Sequence, residues 1–69
     1  MLPFHLSGSF YNWDCRIPME KVDSEHVITL ALQSGRYEYK FWVDGEWRLD
    51  PAQQTCDNGV GGKNHVMHV

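Results

Sequence analysis

The stretch that most constrains this chain is Tyr37-Glu38-Tyr39-Lys40-Phe41-Trp42-Val43, followed at once by Asp44-Gly45. Tyr37, Tyr39, Phe41 and Val43 recur every second residue, which is the period of a strand and not of a helix. They are expected to line a core face, with Glu38, Lys40 and Trp42 on the opposite face. Asp-Gly is a strong two-residue hairpin signal, because both positions of the tight turn must accept positive φ. Glu46–Arg48 is the expected return strand. A chain built around such a hairpin must bury one face of a sheet, and an antiparallel sandwich does that most simply.

The rest of the chain fits the same class. No segment sustains helical periodicity. Leu2–Ser9 reads as a first strand, and Gly8, Asn12 and Asp14 mark a turn region after it. Ile17–Lys21 reads as a short extended piece, with Pro18 suited to a sheet edge. Asp23-Ser24-Glu25 is a polar loop. Val27–Leu32 alternates Ile28, Leu30 and Leu32 with Thr29 and Ala31, which predicts another strand. Gln33–Arg36 is a turn. Leu49–Lys63 is expected to be loop, because Asp50-Pro51, Asn58-Gly59 and Gly61-Gly62 break regular structure. Asn64–Val69 is the expected last strand. With 69 residues the chain has room for one domain, and one that buries only a thin core.

Charge and composition exclude several functions. The net charge is −3 and the basic residues are scattered, whereas nucleic acid requires a clustered Lys/Arg face. No apolar run is long enough to cross a bilayer. Met1–Ser9 lacks the basic, apolar, small-residue order of a signal peptide. Cys15 and Cys56 are too few for a disulfide framework and too far apart for a zinc knuckle, so free thiols and an intracellular setting are expected. His65 and His68 fall on opposite faces of a strand and read as surface histidines. Asp14, Asp44, Glu46, Asp50 and Asp57 supply carboxylates, but glycoside hydrolysis needs a placed pair in a deep site. Asp44 and Asp50 have ordinary turn roles. An enzyme is not expected, nor is a metal or cofactor.

Three tryptophans are more than so small a domain hides comfortably. They can all cover sheet faces or the ends of the sandwich. Their other use lies in the physics of sugars. A pyranose ring has an apolar C–H face, which a flat indole can cover, and a rim of hydroxyls, which amide and ammonium groups can hydrogen-bond. Trp13, Trp47, Lys40 and Asn64 are far apart in sequence, and only a sheet with crossing loops could gather them.

The stretches Ser7-Gly8-Ser9-Phe10-Tyr11-Asn12-Trp13, Ile17-Pro18-Met19, Gly35 through Trp47, and Asp50-Pro51 resemble the glycogen-binding domain of AMP-activated protein kinase β subunits. That domain belongs to carbohydrate-binding module family 48, and related modules occur in starch-branching and debranching enzymes and in plant starch-metabolism proteins. The resemblance runs from Phe4 to Val69. It implies an immunoglobulin-like antiparallel β-sandwich and non-catalytic binding of α-1,4-linked glucan: glycogen, starch, maltooligosaccharides or cyclodextrin. It implies stacking by Trp13 and Trp47, hydroxyl contacts from Lys40 and Asn64, and a loop residue, Val60, reaching into the curve of the glucan. Trp42 reads as structural. The implied partners are the polymer and kinase subunits or another domain of a parent protein, in the cytoplasm or a plastid. A degenerate module that binds protein, or the accessory domain of a starch-active enzyme, are the other roles open to this family.

Four positions depart from the family pattern. Gly62 replaces a threonine that often contacts sugar. Val60 is shorter than the usual leucine. Lys63 and His65 stand where an apolar residue and an asparagine are common. These changes imply weaker or altered binding. Family members also usually carry a strand before the position of Leu2, so the single domain 1–69 is expected to lack a first strand.

Overall fold

The computed structural model describes residues 4–69. Its strands run β1 Phe4–Gly8, β2 Ile17–Pro18, β3 Glu20–Val22, β4 Glu25–Val27, β5 Arg36–Val43, β6 Glu46–Arg48, β7 Thr55–Asp57 and β8 Lys63–His68, with one 3-10 turn at Ser9–Tyr11. All pairings are antiparallel. Six strands form one sheet in the order β2-β1-β5-β8-β7, and β6 joins β5; β3 and β4 form a second, two-stranded sheet. The all-β antiparallel class expected from the alternation is what the chain adopts.

Strand β5 is the spine. β1 runs along one side of it, pairing Phe4↔Val43 through Gly8↔Tyr39. The other side is shared. β8 pairs its first half, from Arg36↔His68 to Tyr39↔His65, and β6 pairs its last three residues. Lys40 therefore stands at the junction where the partner changes. The Asp44-Gly45 hairpin forms as the dipeptide demands, with φ of 53° and 75°. Gly8 is required for a different reason. A Cβ there would lie 2.2 Å from a ring carbon of Phe10 and 2.7 Å from the backbone oxygen of Glu38.

The two faces of the large sheet follow from the alternation and the register, since directly paired residues share a face. One face carries Tyr39 and Phe41 with Leu6 and Met67. It looks across a cavity of about 1000 Å³ toward Ile28, Leu30 and Leu32. The opposite face carries Glu38, Lys40, Trp42, Trp47 and Asn64.

Several expectations require correction. Val27–Leu32 is not a strand: only Val27 lies in β4, and residues 28–33 belong to none. The alternation there is real, because Ile28, Leu30 and Leu32 are half-buried and Thr29 and Ala31 exposed. It records which side faces the cavity, not a hydrogen-bonded ladder. Ile17–Lys21 splits between the two sheets, with Pro18 on the edge strand β2. Leu49–Lys63 is not all loop, since Thr55–Asp57 pairs with β8. The expected first strand ends at Gly8, and its start at Leu2 and Pro3 lies outside the described residues. His65 is not a surface histidine; it is fully buried.

Candidate functional site

On the face away from the cavity, Trp13, Trp47 and Asn64 fall into two groups with Lys40 between them, while Val60 lies elsewhere. The first is aromatic. Trp47 on β6 pairs directly with Trp42 on β5, and their ring centroids lie 4.8 Å apart. Trp13 meets Trp47 edge-to-face, with centroids 6.4 Å apart and planes at 80°. Trp13 is 38% exposed and Trp47 46%.

The backbone that presents Trp13 is unusual. Its amide donates to the carbonyl of Gly8 at 2.9 Å, while that of Asn12 donates to Ser9 at 3.2 Å. This is the Schellman pattern that closes a helical turn, with asparagine in the left-handed position. Asn12 has φ of 53° and Trp13 has φ of 63°. Asparagine tolerates that region, but for a bulky residue it is an outlier of the kind that clusters at binding sites.

Arg16 and Trp42 belong to the same group, and sequence reasoning assigned neither to it. The Arg16 guanidinium lies 3.7 Å from the centroid of the Trp42 ring and 5.7 Å from that of Trp47. Alternation gave the face of Trp42. Only the fold shows that a residue from the loop before β2 covers it.

The second group is polar and lies further along β5. Asn64 on β8 donates through Nδ2 to Glu38 Oε1 at 3.2 Å. The Cys56 thiol donates to the same oxygen at 3.3 Å, and Arg36 donates to Oε2 at 2.9 Å. The Arg36 hydrogen bond, followed by those of Asn64 and Cys56, holds the Glu38 carboxyl below its ordinary value. Lys40 lies on β5 between Glu38 and Trp42, on their face, paired with Ser7 of β1. It thus stands between the two groups.

Val60 stands apart from them in the loop before β8, and is 86% exposed. That loop is tied by Asn58, whose Oδ1 accepts from the amides of Val60 at 2.9 Å and Gly62 at 3.0 Å. Gly59 and Gly61 take positive φ there. Gly62 has a separate cause: a Cβ at this position would lie 2.8 Å from Asn58 Nδ2. The departure from threonine at 62 is therefore coupled to the side chain that knots the loop.

His65, the other departure, serves the interior. Its Nε2 accepts from the amide of Asp50 at 2.8 Å, so Nδ1 carries the proton and donates to the carbonyl of Gln54 at 3.1 Å. The ring packs against Tyr39 and Phe41. Asp50 in turn accepts from the amide of Ala52 and from Gln53 Nε2, both at 2.9 Å. Those two bonds hold its carboxyl below its ordinary value. The 50–54 turn is thus clamped onto β8 through His65. Among the described residues, no group of three or more His, Cys, Asp or Glu side chains could hold a metal ion. Both cysteines are free thiols. Among the described residues, no helix is long and apolar enough to cross a membrane.

Residues 4–69 match the family model for the glycogen recognition site of AMP-activated protein kinase. The chain belongs to that family. The glycogen-recognition module is 41% identical over 64 residues to 5'-AMP-activated protein kinase subunit beta-2 of Mus musculus and of Homo sapiens, which covers 93% of this chain. It is 38% identical over 65 residues to subunit beta-1 of Bos taurus, covering 94%. The module spans 24% of the length of each of these relatives.

Proposed function

We propose that this module binds α-1,4-linked glucan, as in glycogen or starch, without catalysis, and holds an attached kinase or starch-metabolism protein at the polymer. The observation that carries the proposal is the exposed pair Trp13 and Trp47, set nearly at right angles on one face. Two indole planes at such an angle form a corner. Successive glucose units of an α-1,4 chain turn relative to one another, so adjacent rings can each present an apolar C–H face to a different wall. A flat β-1,4 chain offers its faces in one plane and covers only one wall. Each stacked ring buries apolar area against a π surface.

Lys40 then supplies an ammonium donor to a hydroxyl rim, and Asn64 an amide. Val60 projects from its loop and supplies an apolar contact inside the curve of the chain. Binding of this kind needs no metal or cofactor. Concentrating a tethered enzyme on a multivalent polymer raises its effective concentration there without new contacts to substrate. Kinase subunits are the implied protein partners, in an intracellular setting.

Co-sedimentation with insoluble amylose and with cellulose tests the proposal. Retention on amylose and not on cellulose is the expected result. Equal retention on both defeats the selectivity argued from the angle between the indoles. Retention on neither, by folded protein, defeats glucan recognition.

A further inference from the structure

Two features of Glu38 stand out beside the proposed sugar contacts. It shares a face with Lys40 and Trp42, and both of its carboxylate oxygens are engaged. Oε1 receives Asn64 Nδ2 and the Cys56 thiol, and Oε2 receives Arg36. The backbone amide of Glu38 also donates to Ser9 Oγ at 3.0 Å, which ties its strand to the turn leading to Trp13.

An ionised carboxylate can only accept hydrogen bonds, whereas a carboxamide has a donating and an accepting end. The terminal torsion of an asparagine is broad, so an unrestrained amide presents either end to a ligand. Beside Glu38 only one orientation satisfies both groups: the NH2 end turns to the carboxylate, and Oδ1 is left for another partner. Asn64 also pairs directly with Cys56 across β7 and β8, so its backbone is fixed as well.

We propose that Glu38 is a positioning residue of the glucan site, which locks the Asn64 amide so that Oδ1 meets the sugar as an acceptor. The site then selects a hydroxyl able to donate at that point. The amide orders before ligand arrives, which lowers the entropy lost on binding. The inference rests on the glucan reading.

A double-mutant cycle in β-cyclodextrin affinity tests it, using Glu38→Ala, Asn64→Ala and both together, with thermal melts to verify folding. If Glu38 acts through Asn64, each single substitution weakens binding, by about three- to tenfold for Glu38→Ala. The double variant then binds no more weakly than Asn64→Ala alone. Glu38→Gln offers a donating end as well as an accepting one, so the Asn64 amide is no longer held in one orientation, and binding weakens, though less than in Glu38→Ala. It also serves should Glu38→Ala not fold. In that case NMR of the Asn64 side-chain amide protons is read in both proteins, and protection from solvent exchange is expected in wild type and is expected to fall in Glu38→Gln.

Additive losses in the double variant, or an Asn64→Ala loss with none from Glu38→Ala, would overturn the inference. So would a rapidly exchanging Asn64 amide in wild type, or unchanged affinity in Glu38→Gln. If Asn64→Ala costs nothing while Trp47→Ala abolishes binding, the inference fails and the glucan reading stands. If folded wild-type protein binds no cyclodextrin, both fail.

Discussion

Trp13 and Trp47 lie edge-to-face on the surface of the module, although 34 positions separate them in sequence. Trp13 reaches this contact from a left-handed backbone position and Trp47 from the return strand of the Asp44-Gly45 hairpin. The turn thus carries a bulky residue in a conformation that costs stability, of order 1–3 kcal/mol.

That cost separates binding from folding. Trp13→Gly relieves the backbone and removes an indole that is more than one-third exposed. Its melting temperature is expected to stay within a few degrees of wild type, while glucan affinity falls at least tenfold. A large fall in melting temperature would show that Trp13 is chiefly a structural residue.

Gly8→Ala tests the close approach of β1 to β5. Its Cβ would press on the backbone of Glu38, which a rotamer change cannot relieve. A loss of about 1–3 kcal/mol is expected in denaturant unfolding, as for other overpacked sites. Unchanged stability would contradict the geometry of the strand pair.

Gly62→Thr restores the residue usual in the family, yet its Cβ meets Asn58 Nδ2. The single substitution is expected to lower stability and bring no gain in glucan affinity. Adding Asn58→Ala should relieve the contact and recover stability in part, although the amides of Val60 and Gly62 lose their acceptor. Thermal melts of Gly62→Thr, Asn58→Ala and the double variant distinguish this from a loop in which the two positions are independent.

The Asp50 carboxyl is held below its ordinary value of 3.8, first by the Ala52 amide and then by Gln53. A lowered value means that the folded state favours the charged form. Its contribution is fully present above the unfolded value and is lost as pH falls through the folded one. Wild type is therefore expected to exceed Asp50→Asn in stability at neutral pH, with the gap closing below about pH 4. Melting curves from pH 7 to pH 2.5 check this. A gap that widens in acid would contradict it.

Much of this architecture is legible in the chain because β5 and β6 are local. Period-two alternation and one dipeptide specify both strands and the turn between them. Residues 27–32 show the limit of the same signal, since alternation reports exposure and says nothing of whether a neighbouring strand supplies hydrogen bonds. Thr55–Asp57 leaves no such signal, because three residues among turn formers have no period to detect. The burial of His65 is equally hidden, because histidine is usually half-exposed. Its burial depends on partners at Asp50 and Gln54, which no local pattern reveals. Resemblance marks Trp13, Trp47, Lys40, Asn64 and Val60 as expected sugar contacts. Their neighbours Arg16 and Glu38 emerge only when the strands are laid side by side.

The Trp13–Trp47 corner is the platform proposed here for α-1,4 glucan. Its decisive test is calorimetric titration of wild type and of a folded Trp47→Ala variant with β-cyclodextrin, a closed ring of α-1,4 glucose. Saturable binding by wild type and none by the variant is the expected result. Equal binding by the two proteins, or none by a demonstrably folded wild type, would rule that platform out.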